Sequence, residues 1–299
     1  MSIPIFVTHS PTVKPTPVVQ KIPSLDQLRG MVESGAGDIV MQVIEQHKLP
    51  YKIENNQLVD ALKGTELYLN KFITVNEATL ALKPLIQKLA KCADEVLITG
   101  ETGTGKEIIA RAMIGDRTGN FVAVNCGGLP EHLIESELFG HVRGAFTGAE
   151  SDKQGLFATA RDGVLFLDEL VELPIHVQAK LLRALQDKVV RRVGSNKEEP
   201  INCKFVCATH GNVREMVKEK KFREDLYARL SVFELHIPPL SSRPDDIEPI
   251  IRSLPDGNKF LEAFYKDNRR LEDIDLSLNV RALQRMVRRW IVLGQIIPK

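Results

Sequence analysis

The apolar positions change their period along the 299 residues of the chain. Between residues 24 and 70 they recur at helical intervals: Leu25 and Leu28, then Ile39, Val40, Val43 and Ile44, then Leu58 and Leu62, then Leu67 and Leu69. Gly35-Ala36-Gly37 and Leu49-Pro50 punctuate them, which predicts a small helical segment over 24–71. From about residue 72 the pattern alternates. A helical period over 77–91 is followed by the apolar run from Glu95 to Thr99 and a helix from about 105. FVAVN at 121–125, VLFLD at 164–168, a helix near 175–187 and FVCAT at 205–209 complete the series. Short, continuously apolar strands between helices predict a parallel sheet covered on both faces, over about 72–242. After IPPL (237–240) only helical periodicity remains, so a small helical domain is expected at 243–299. Residues 1–23 carry five prolines, Pro4, Pro11, Pro15, Pro17 and Pro23, and read as an extended, disordered arm.

Composition changes this picture little. The chain is 43% hydrophobic and 26% charged, as folded soluble proteins are, and its net charge of +1 sets up no global field for nucleic acid. No apolar run approaches the roughly 20 residues that cross a bilayer, and the N-terminus lacks the pattern of a secretory signal. Cys92, Cys126, Cys203 and Cys207 form no C-x-x-C pair and have no His at metal spacing. They read as free thiols in a reducing cytoplasm.

The chemistry concentrates in EVLITGETGTGKEIIARAM. An apolar strand runs into Gly100-Glu101-Thr102-Gly103-Thr104-Gly105-Lys106-Glu107, and a helix follows. Glycines at this spacing let backbone N–H groups turn inward around phosphates, and the helix N-terminus adds positive potential. Lys106 would reach the outer phosphates of ATP. Glu107 stands where such loops usually place the Ser or Thr that holds Mg²⁺, so the cation must lean on another acid or on water. GVLFLDEL supplies that acid: Asp168 would hold Mg²⁺ and Glu169 would polarise the attacking water, if the pair is not simply a solvated turn. KFREDLYARL offers Arg223 and Arg229. On one helix, residues six apart lie about 120° from in line. The two are therefore either ordinary surface arginines or groups that meet a nucleotide held by a neighbouring subunit.

One stretch fits none of this. GAFTGA, Gly144-Ala145-Phe146-Thr147-Gly148-Ala149, places an aromatic between glycines in a polar setting. In the order GETGTGKE, ESELFGH, GAFTGA, LFLDE, KLLRALQ, RVG and FREDLYARL, the chain resembles the central AAA+ domain of the bacterial sigma-54-dependent transcription activators, over about 72–299. The resemblance implies a P-loop α/β/α fold with a helical lid, and a hexameric ring driven by ATP hydrolysis. It makes GAFTGA the loop that is raised against sigma-54 in the closed promoter complex of the RNA polymerase holoenzyme. On that reading Phe146 is an exposed anchor, Thr147 adds a hydroxyl, and Gly144 and Gly148 let the loop swing.

Residue by residue, the resemblance makes Asn125 the switch asparagine that contacts Glu169. Arg223 and Arg229 become the two fingers, Thr209-His210 the sensor after the fourth strand, and Arg281 the lid sensor. Two departures stand out. His210 replaces the usual Asn, and LSLNVRAL has lost the Trp, Pro and Gly that usually precede the lid helix. No helix-turn-helix follows, so no sequence-specific DNA binding is expected, and Arg281, Arg285, Arg288 and Arg289 read as a lid surface. Two functions remain open. One is an ATPase that remodels the sigma-54 polymerase. The other is an ATP-binding, weakly hydrolysing subunit that joins a related activator's ring.

Overall fold

A computed structural model describes residues 25–47, 51–54, 57–60 and 64–294; the proline-rich stretch 1–23 lies outside them. The chain divides into two units, Met1–Leu62 and Lys63–Lys299. In the first, helices Leu25–Glu33 and Gly37–His47 precede an antiparallel pair, Tyr51–Glu54 with Gln57–Asp60. The expected all-helical segment is corrected here. YKIE alternates apolar and polar residues, whereas QLVD, with Leu58 and Val59 adjacent, does not; the two pair in register from Tyr51 with Asp60 to Glu54 with Gln57. The pairing between the two segments, which neither carries alone, makes them strands. The helix Gly64–Lys71 belongs to the second unit, so the division falls earlier than residue 72: Thr65 Oγ1 donates to Ala112 O at 2.8 Å.

The second unit is built on five parallel strands: β1 Val96–Thr99, β2 Phe121–Asn125, β3 Val164–Asp168, β4 Lys204–Thr209 and β5 Glu234–His236. Their spatial order is β5-β1-β4-β3-β2. The expected apolar runs supply the first four. The three-residue β5 was not legible, because only Leu235 in it is buried. Side chains alternate between two apolar layers. Leu97, Leu165, Leu167, Phe205 and Cys207 face one, and Val96, Ile98, Val164, Phe166, Val206 and Ala208 the other. The first layer is covered by α2 Glu131–Phe139, α3 Ile175–Asp187 and α4 Glu224–Leu230, the second by α1 Lys106–Ala112 and the helices Gly64–Lys71 and Leu82–Lys91. Burying each large side chain contributes about 1.5–3 kcal/mol. Among the described residues all four cysteines are free thiols, and no helix is long and apolar enough to cross a membrane.

The helical lid comprises α5 Ile247–Ser253, α6 Gly257–Lys266 and α7 Val280–Leu293, closed over Phe260, Phe264, Leu283 and Val287. Trp290 sets its ring edge-on to Phe260, centroids 5.7 Å apart. On α7 all four arginines are exposed, opposite this core. A buried ion pair joins lid and core. Arg243 Nη1 bonds Asp246 Oδ2 at 3.0 Å with both side chains 1% exposed or less. Asp246 also accepts from Thr74 Oγ1 at 2.7 Å and from the N–H groups of Val75 and Asn76 at 2.6 and 3.1 Å. Arg243 Nη2 donates to Thr104 O at 3.2 Å. Asp246→Ala would strand this guanidinium in the interior. The expected loss in urea unfolding is about 3–5 kcal/mol, part of it recovered by adding Arg243→Met. A loss under about 1 kcal/mol would show that the pair does not hold lid to core.

Candidate nucleotide site

Parallel register brings the carboxyl ends of the strands into one row: Thr99 lies beside Thr209, and Asn125 beside Asp168. Open parallel sheets bind ligands along this edge. Here β1 turns through Gly100–Gly105 into α1. Gly103 holds φ +80°, and a Cβ there would lie 2.2 Å from Leu278 O, so only glycine lets the lid backbone approach. Val280 N seals that contact by donating to Gly103 O at 3.1 Å. Thr104 Oγ1 donates to Glu101 O at 2.8 Å and braces the loop.

Lys106 Nζ lies back on the loop, donating to Gly100 O at 2.7 Å and Glu101 O at 3.1 Å. Burial lowers its pKa, against the opposing pull of Asp168 and Glu169. The same burial raises the pKa of Asp168, although its Oδ1 accepts from Glu169 N at 3.0 Å. Both shifts say that the pair sits in a poorly solvated cleft, where an added phosphate or cation would feel little screening. That cleft is a cavity of about 340 Å³ with Lys106, Asp168 and Glu169 on its floor. Phe72, Ile73, Ile250 and Leu254 give it an apolar wall, and Arg281 reaches it from α7.

Arg281 is placed despite the lost Trp, Pro and Gly. Asn279, with φ +51°, is buried at the lid–loop junction. Its Nδ2 donates to Glu101 Oε2 and Thr102 O, both at 3.0 Å, and its Oδ1 accepts from Leu240 N at 2.6 Å. Asn279, Arg243 and Asp246 escaped the sequence reading. The retained Asn of LNVRAL was the available signal for the first. The other two sit in a polar SSRPDD stretch that reads as surface. Glu107 lines the same cavity at its rim. Its carboxylate accepts from Arg111 Nε and Nη2 at 2.9 and 2.7 Å, on the exposed side of α1.

The expected Asn125–Glu169 contact is replaced. Asn125 Oδ1 accepts from Gly128 N at 3.1 Å, capping the turn Cys126–Gly128. Glu169, at φ +53° and ψ +49°, bonds His210 Nδ1 through Oε2. Histidine at the end of β4 is long enough to take the carboxylate that the resemblance gives to Asn125. Arg223 and Arg229 do not share a helix either. Arg223 is the N-cap of α4, its guanidinium on Asp225 at 2.7 and 3.0 Å, whereas Arg229 lies in the last turn of α4. Arg229 Nη2 lies 3.3 Å from Glu95 Oε1, just before β1. Glu95 is thus a strand length, about 13 Å, from the phosphate loop of its own chain.

GAFTGA closes on itself: Gly144 N donates to Ala149 O at 2.9 Å, and Ala149 N to Phe146 O at 3.0 Å. Gly144 and Gly148 have φ of +79° and +97°. Ala149 is buried and Thr147 exposed. Phe146 is only 39% exposed, because its ring lies against His141, centroids 5.0 Å apart, and His141 Nδ1 bonds Ser136 Oγ at 2.7 Å. The aromatic is partly stowed rather than fully displayed. Ala145 rests on Gly194, and Val142 N donates to Val193 O at 3.1 Å.

The residues present fit a nucleoside triphosphate with a divalent cation. A helix N-terminus, Lys106 and Arg281 face one cavity, and the Asp168 carboxylate lies beside Lys106. One carboxylate suffices for Mg²⁺, which keeps waters and shares phosphate oxygens.

Known proteins agree. The family model described as Sigma-54 interaction domain matches residues 72–236. Regulatory protein LuxO of Vibrio cholerae is 37% identical over 288 residues, covering 91% of this chain and 63% of that protein. Regulatory protein AtoC of Escherichia coli is 36% identical over 312 residues, covering 96% and 66%. This chain therefore spans less than two thirds of the length of either. Among solved structures, NtrX from Brucella abortus in complex with ATP superposes with a TM-score of 0.60 at 28% identity, over 89% of this chain and 56% of that one. Hsp104, at 19% identity and a TM-score of 0.52, shares the fold. With its P-loop, five-stranded parallel sheet and GAFTGA loop, the chain belongs to the family of sigma-54-dependent transcription activators, and residues 72–236 are its sigma-54 interaction domain.

Proposed function

We propose that the chain is a cytoplasmic ATPase that couples hydrolysis to remodelling of the sigma-54 RNA polymerase at a closed promoter complex. The observation that carries this reading is the continuous path from Glu169 to GAFTGA. The turn Leu170–Glu172 packs on the turn Cys126–Gly128, with the Glu172 side chain beside Gly127. That second turn leads into α2, and α2 ends at the Gly140 that opens the loop. A change at Glu169 thus has a packed route to Phe146.

The roles follow from position. N–H groups of Gly100–Gly105 and the α1 terminus bind phosphate, and Lys106 leaves its two carbonyl partners for the outer phosphates. Arg281 closes the lid over the same charge. Asp168 would hold Mg²⁺, which supplies charge neutralisation at the leaving oxygens. Glu169 orients and polarises the attacking water. Arg223 and Arg229 serve a neighbour's site, since among the described residues neither lines the cavity of its own chain. This requires a ring, and we read it as a hexamer. Phe146 leaves His141 to meet sigma-54, a large aromatic surface released from a modest contact.

A second reading has one observation in its favour. His210 already engages Glu169, so the chain could bind ATP, hydrolyse it weakly and act by joining a related activator's ring. Steady-state ATPase activity of the purified chain separates the two.

Three outcomes are expected. Lys106→Ala should abolish nucleotide binding measured by fluorescence titration, while Glu169→Ala should bind ATP and lose turnover; near-normal turnover in Glu169→Ala would remove the assigned base. Specific activity should rise with protein concentration and level off, and mixing in Arg223→Ala should depress it beyond dilution. Flat activity per chain from a monomer would exclude the fingers. Phe146→Ala should keep ATP binding and assembly, yet lose sigma-54 capture with ADP and a metal fluoride by about 2 kcal/mol, roughly thirtyfold. Equal capture by both proteins would assign the loop to another partner.

A further inference from the structure

We infer that His210 is the positioning residue for Glu169, its Nδ1 taking over in this chain the grip that the family resemblance assigns to Asn125. The inference rests on the ATPase reading above and deepens it. β4 ends at Thr209, which is fully buried. Thr209 O accepts from Gly100 N at 3.3 Å, so the strand end is tied to the first residue of the phosphate loop. Thr209 Oγ1 accepts from Gly211 N at 3.0 Å and fixes the turn on the other side. His210 is held between these two anchors. Its ring meets Glu169 Oε2 through Nδ1.

Glu169 is thereby held twice. Its backbone N–H is bound to Asp168 Oδ1 and its carboxylate to His210, while the contact that Asn125 makes through Oδ1 is with Gly128 N. A carboxylate accepts only, so Nδ1 carries the proton of this bond. One oxygen of Glu169 is engaged and the other remains for water. The side-chain exposures fit such a role: 20% for Glu169 and 47% for His210 leave the pair at the mouth of the cleft rather than sealed in the core. Nδ1 of histidine is attached to Cγ, as is Nδ2 of asparagine. The donor at position 210 therefore stands the same number of bonds from the backbone as the Asn usual in the family. Glutamine would place its amide one bond further out, where Nε2 lies.

That bond count defines the test. Full-length wild type, His210→Ala, His210→Asn and His210→Gln are compared by steady-state ATP hydrolysis, nucleotide titration and thermal unfolding. His210→Ala should lose about tenfold or more in kcat, with KM for ATP and the melting temperature nearly unchanged. His210→Asn should recover most of that loss, and His210→Gln should not. A KM effect at constant kcat, recovery by Gln rather than Asn, or a rise in kcat on His210→Ala would each overturn the inference; the last would make His210 a brake. A wild type that hydrolyses no ATP would sink the ATPase reading instead. The pairing is then read without turnover, from the imidazole ¹⁵N resonances of the nucleotide-free chain. These should report an Nδ1–H tautomer for His210 that shifts on Glu169→Gln. Insensitivity to that substitution would overturn the inference independently.

Discussion

The parallel register of the sheet, set by the three buried strands β1, β3 and β4, is the constraint from which the rest of the site follows. With Thr209 beside Thr99 and Asn125 beside Asp168, every strand delivers its last residue to the same edge of the sheet. A slip of one residue would exchange the two apolar layers and turn each strand-end side chain to the opposite face. The layers prevent that slip: Phe166 and Val206 belong to one, Phe205 and Leu165 to the other, and all are at most 2% exposed. The row of strand-end residues is therefore held in place by hydrophobic burial in the interior of the sheet.

Polar contacts then fasten the movable parts to this rigid edge. The lid does not rest on the phosphate loop by shape alone. Asn279 bonds Glu101, Thr102 and Leu240, and Arg243 reaches Thr104 O, so backbone carbonyls of the loop are read by two lid-side residues. Both are buried, and a buried polar group that loses its partner costs about 1–3 kcal/mol, more when charged. Loop and lid are expected to move as a coupled pair for that reason. On the far side, the 170–172 turn that follows Glu169 packs on the 126–128 turn that precedes α2.

How much of this was legible in the sequence depended on the range of the interaction. Strands β1 to β4, the phosphate loop and its helix, the Asp168-Glu169 pair and the helical lid were readable, because each is encoded by neighbours within about ten residues. The edge strand β5 was not, since a three-residue strand with one buried side chain exists only through its pairing with β1. The antiparallel pair at 51–60 was mistaken for helix because an apolar residue every few positions satisfies both periods over so short a span.

GAFTGA, GETGTGKE and LFLDE thus determined by themselves the family, the kind of ligand and the edge of the sheet that holds it. Glycine spacing and an acid after an apolar strand are local chemical requirements. Tertiary structure alone decided which side chains meet. His210 and Glu169 are 41 positions apart, Asp246 and Thr74 are 172 apart, and Asn279 and Glu101 are 178 apart. Arg229 is directed to Glu95, and Phe146 to His141, by packing that no local pattern encodes. A hydrogen bond specifies its partner only through distance and direction, and those exist once the sheet register, the strand ends and the lid junction have been set by burial elsewhere.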